Sequence, residues 1–104
     1  MVGNPRYDGK PLLRLLELYV LWAIGELPQM EQQTLERMAP KLGEIYGGNG
    51  TWHEAVAAAV HMPADMPMAI RDRWAKAAPR AALLDDAALT PQAFAETVVD
   101  DYFA

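Results

Sequence analysis

Apolar positions crowd into one stretch of the chain. From Leu12 to Leu27, LLRLLELYVLWAIGEL, the charged residues are Arg14, Glu17 and Glu26 alone. The stretch holds no proline and is rich in strong helix formers. Pro11 stands just before it, where a missing N–H does no harm, and Gly25 and Pro28 punctuate its end. These signals predict a helix over 12–27. Arg14 and Glu17, three apart, share a face and can pair. Beyond them, Leu18 to Ile24 has no polar face except the Tyr19 hydroxyl and the Trp22 indole N–H. A helix that is apolar all round is buried all round. It is therefore expected either at the centre of the domain or with one face covered by a second chain.

The rest of the pattern is also helical. Pro28 opens a second stretch to about Tyr46, with Leu35, Met38, Leu42, Ile45 and Tyr46 in a stripe of helical period. Pro40 falls inside it and predicts a kink or a break there. Gly47-Gly48-Asn49-Gly50 is the clearest loop. Neither a preceding strand nor a GK[ST] ending supports a phosphate cradle, so it reads as an interhelical connection. Thr51-Trp52-His53-Glu54 matches a capping box and starts a third helix to about Met62, with Trp52, Val56, Ala59 and Val60 inward.

Met62 to Met68, MPADMPM, interrupts the pattern with two prolines. A fourth helix then carries Ile70, Trp74, Ala77, Ala78, Ala81 and Leu84 on one side. Arg71, Arg73, Lys76 and Arg80 gather on another, and Pro79 is expected to kink or end it. Leu89-Thr90-Pro91 opens the last helix: Thr90 as cap, Pro91 at the first helical position, Leu89 as a staple onto Phe94. Phe94, Val98 and Tyr102 form its apolar side. No run alternates with period two, so no strand is predicted. Residues 1–10, with Pro5 and Asp8-Gly9, read as an irregular lead-in.

The expected fold is thus one all-α domain over 1–104, five or six helices in a compact bundle-like or orthogonal arrangement around the central helix 12–27. Leu18, Leu21, Trp22, Trp52, Trp74, Phe94, Val98 and Tyr102 are its expected core or dimer face.

Composition narrows the functions open to such a domain. The 104 residues contain no cysteine and no serine, and two histidines. Nucleophilic catalysis therefore has almost no candidate group, and an enzyme is not expected. His53 and His61 are eight apart, about 80° round a helix, too far to ligate one ion together from one helix. Met62, Met66 and Met68 read as an adaptable Met-Pro surface for a partner rather than as a copper site. No metal or other cofactor is expected.

Charge is unevenly spread. The net charge of −5 arises wholly from Asp85, Asp86, Glu96, Asp100 and Asp101, because the first 84 residues balance. Acidity on this scale disfavours nucleic acid, which needs Lys and Arg against its phosphates. The paired acids are sequence neighbours and so point apart on a helix, which suits a docking surface better than a general acid/base pair. The Arg71–Arg80 cluster is expected to pair with the acidic last helix. The uncharged run Leu18–Gly25 is eight residues long, against roughly 20 needed to span a membrane. MVGNPRYDGK lacks a charged-then-apolar signal pattern, which points to the cytoplasm.

The sequence is read first as a non-catalytic protein-interaction module that pairs with itself or sits in a small complex. Two alternatives stand beside it. One is an acidic inhibitor, of the immunity or antitoxin kind, docking a basic toxin through the last helix. The other is a helical domain holding a small ligand among its tryptophans.

Overall fold

The computed structural model describes residues 11–48, 50–83 and 90–102. Five helices follow in order: α1 (Pro11–Ala23), α2 (Gln29–Tyr46), α3 (Trp52–Ala59), α4 (Met66–Leu83) and α5 (Pro91–Tyr102). No strand occurs among the described residues, and the fold class is all-α. No helix among them is long and apolar enough to cross a membrane.

α1 lies at the centre and packs on α3, α4 and α5, while α2 packs chiefly on α3. Leu16 to Leu21 and Ala23 are all buried. The helix ends earlier than predicted, at Ala23, and the reason is local. Gly25 adopts φ +75°, Gly25 N–H donates to Trp22 O (3.1 Å) and Glu26 N–H donates to Leu21 O (2.9 Å). This is a Schellman motif, in which a left-handed residue folds the chain back over the last carbonyls. Leu27 therefore belongs to the connection, where it packs against the core. Arg71 on α4 secures the same end: its Nε donates to Ala23 O at 2.8 Å.

The predicted caps occur where they are local in sequence. Thr51 Oγ1 accepts from Glu54 N–H (3.3 Å), and Thr90 Oγ1 accepts from Ala93 N–H (3.0 Å) with Pro91 as the first residue of α5. Leu89, the expected staple, and Leu84 lie outside the described residues.

Neither internal proline breaks its helix. α2 runs as one helix through Pro40, and α4 continues through Pro79 to Leu83. Both prolines are exposed. On that side water can solvate the carbonyl that each proline leaves without its helical donor.

α3 ends at Ala59, short of the predicted Met62, in a second Schellman motif. Met62 N–H donates to Ala57 O (2.9 Å) and His61 N–H to Ala58 O (3.3 Å). His61 is the left-handed residue, at φ +52°. Its place at the helix end is thus a backbone role, taken without glycine.

The core joins α1 to Leu35, Ala39 and Leu42 of α2, Trp52, Ala55 and Val56 of α3, Ile70 of α4, and Phe94, Ala95, Val98 and Val99 of α5. One charged residue is buried with them. Glu17 is fully covered, and its Oε1 accepts from Gln92 Nε2 on α5 at 2.7 Å. Gln92 Oε1 accepts in turn from Arg14 Nη1 (3.2 Å), and the expected Arg14–Glu17 pair closes the group at 3.6 Å. Burying a carboxylate is tolerated when it is paired and hydrogen-bonded, as here. Gln92, unremarkable in the sequence, thereby ties α5 to α1.

Candidate functional site

The middle of the central helix is covered within one chain, while Leu12, Leu13, Leu15 and Trp22 are only partly buried. Leu18 and Leu21 are buried, and so are Trp52, Phe94 and Val98. Trp22 and Trp74 are half-buried against the same core. Tyr102 departs from the predicted apolar side of the last helix: it is exposed near the end of α5.

Exposed apolar surface appears instead on α2. Met30 is 81 %, Met38 41 % and Ile45 60 % exposed. Two of them, Met38 and Ile45, were expected to face inward. A helical wheel explains the difference. Leu35, Ala39, Leu42 and Tyr46 fall in an arc of about 60°, whereas Met30, Thr34, Met38, Lys41 and Ile45 fill a separate arc of about 80°, its centre about 110° away. The first arc packs on the core. The second is a distinct apolar stripe beside it.

That stripe borders a groove. Because α2 rests chiefly on α3, the sides of Leu15 and Leu18 nearest α2 are not sealed by a close helix–helix contact. An open, mostly apolar hollow of about 420 Å³ results, lined by Leu15, Leu18, Met30, Thr34, Leu35 and Met38. Arg14 and Glu31 also border it, with Arg14 Nη2 and Glu31 Oε2 at 3.6 Å. Glu31 Oε2 is buried and accepts no hydrogen bond.

The acidic residues lie elsewhere. Asp101 Oδ2 accepts from Arg73 Nη2 at 2.6 Å, so the expected pairing of the basic cluster with the last helix occurs at Arg73, whereas Arg71 turns to Ala23 O on α1. The Arg73 guanidinium also lies 6.0 Å from the ring centroids of both Phe94 and Tyr102. Glu96 Oε2 accepts from Gln92 Nε2 at 3.1 Å. Asp100 is exposed. Asp85 and Asp86 lie outside the described residues. Glu96 and Asp101 are therefore held within the fold. Of the Met-Pro segment, Met62 and Met66 pack partly against the core and Met68 is exposed.

The tryptophans do not form one pocket. Trp74 packs edge-on against Phe94, centroids 5.0 Å apart. Trp22 stacks on His53 at 4.0 Å and meets the edge of Trp52 at 6.1 Å, beside a second hollow of about 400 Å³ that Gln32 and Glu36 also line. His53, in the first turn of α3, is half-buried. Burial lowers its pKa from the ordinary imidazole value, and the Glu54 carboxylate partly offsets this. Among the described residues, no group of three or more His, Asp or Glu is placed to hold a metal ion.

The apolar stripe was readable in principle from the split of α2 into two arcs. Its exposure was not, because that depends on where α2 sits. No protein-family model, no curated protein and no solved structure matches the chain, so its chemistry is argued from this surface alone.

Proposed function

We propose that the protein is a non-catalytic interaction module that binds another protein chain through the α1–α2 groove and the adjoining α2 stripe. The observation that carries this is the exposure of Met30, Met38 and Ile45 along one face of one helix, beside an apolar hollow. Single exposed apolar residues are ordinary on a protein surface; a row of them on one helix face beside an apolar groove supports a contact site. Methionine suits that role, because its flexible thioether chain adapts to the surface it meets. The residue inventory agrees, since a chain without cysteine or serine offers little for covalent catalysis.

The test is the size of the assembly that holds the chain in native extracts. Wild-type protein is expected to migrate well above the 11.5 kDa of one chain, and Met38→Glu is expected to return it to that size. Identical migration of the two proteins would refute the proposal.

A further inference from the structure

We infer that the occupant of the α1–α2 face is a second copy of this chain, docked about a twofold axis with the two α2 helices antiparallel. The inference rests on the interaction reading of the same face and names its partner.

A twofold contact requires a surface that complements itself. This face holds both halves of such a contact. Met30 and Met38 project from α2, and the hollow floored by Leu15, Leu18 and Leu35 lies beside them. The stripe runs from Met30 to Ile45, so it covers its own antiparallel copy best when facing residue numbers sum to about 75. In that register Met30 lies opposite the partner's Ile45. Met38 lies opposite the partner's residue 37, next to the partner's Met38, which lines the partner's groove. The symmetry repeats each contact.

Charge supports the same register. Glu31, paired with Arg14 at 3.6 Å, keeps a side chain 42 % exposed beside the groove. A carboxylate has room for more than one cationic donor, and an ammonium group is a strong one. Lys41 is the cation within the stripe, and it is exposed. Antiparallel pairing brings the partner's Lys41 within one turn of Glu31, a distance that its four-carbon stem spans while packing over the methionines. Two such pairs form, one at each end of the contact. Arg37 falls beside the partner's Arg37 at the axis, on the solvent edge of the stripe, where both guanidinium groups point into water.

The chain has no cysteine, so single introduced thiols report the register cleanly. Arg37→Cys and Glu44→Cys both alter exposed positions. In the proposed dimer the two 37 positions are neighbours, whereas the two 44 positions lie about 20 Å apart along the helices. Mild oxidation with copper–phenanthroline should convert Arg37→Cys to a disulfide-linked pair and leave Glu44→Cys unlinked. Light scattering on purified wild-type protein, from about 1 µM to about 1 mM, should show a mass of two chains. Lys41→Glu should raise the dimer dissociation constant at least tenfold.

A single-chain mass at every concentration overturns the inference, as does preferential cross-linking of Glu44→Cys. If the purified protein is single-chain yet Met38→Glu still dissolves the native assembly, the partner is a different protein and self-pairing alone fails. If Met38→Glu alters neither the purified protein nor the native assembly, both readings fail together.

Discussion

Replacing Gln92 by Ala perturbs the least visible tie in the fold. Gln92 Nε2 donates to the fully buried Glu17 carboxylate at 2.7 Å, and Gln92 Oε1 accepts from Arg14 at 3.2 Å. Truncation removes both bonds, together with the 3.1 Å contact to Glu96, and leaves a buried carboxylate short of a donor. Hydrogen bonds to charged groups contribute about 1.5–3 kcal/mol, and alanine returns a few tenths through its helix propensity. Arg14 remains 3.6 Å from Glu17, which holds the loss to about 2 kcal/mol. For a domain of this size that lowers Tm by about 10 °C. The assay is urea denaturation of Gln92→Ala against wild type, followed by tryptophan fluorescence. Glu96→Ala is the comparison: it removes the weaker 3.1 Å contact from Gln92 and should lose less than Gln92→Ala does. A Gln92→Ala protein within about 0.5 kcal/mol of wild type would refute the claim that Gln92 satisfies Glu17.

Three further predictions concern the loops and the aromatic cluster. His61→Gly should stabilise the protein by about 0.5–1 kcal/mol in a thermal melt, because glycine adopts the left-handed φ of +52° without steric cost. Gly48→Ala should destabilise it by more than about 2 kcal/mol in the same assay. There φ is +102°, and a Cβ would stand 2.8 Å from Ala55 N. The lowered pKa of His53 sets a pH dependence. The unfolded chain binds a proton more readily than the folded one, so stability is full above the ordinary value of 6.5 and falls as pH drops from there through the folded value. Urea titrations at stepped pH should show this slope in wild type and a shallower one in His53→Gln.

The helices and caps were legible because their signals are local. Thr51 with Glu54, and Thr90 with Pro91, are complete within four residues, and the structure shows both caps in use. The apolar stretch from Leu12 likewise reads as a buried helix from its own composition. The features that missed depend on neighbours. Glu17 reads in sequence only as a partner for Arg14; its burial follows from α5 lying across α1 and bringing Gln92 to it. Met38 and Ile45 sit on a helical stripe with Leu35 and Leu42, but α2 packs on α3 from one side only, so the outer part of the stripe faces water. His61 was weighed by its imidazole, whereas its left-handed backbone is what ends α3.

The most direct test of the account measures fold and mass together for Met38→Glu. Light scattering and a circular-dichroism melt on the same purified sample are sufficient. The α1–α2 face as a self-pairing surface predicts a helical, cooperatively melting protein of about 11.5 kDa, where wild type gives about twice that mass. Loss of helicity on substitution would place Met38 in the core. A folded variant whose mass equals that of wild type at every concentration would show that this face does not hold two chains together.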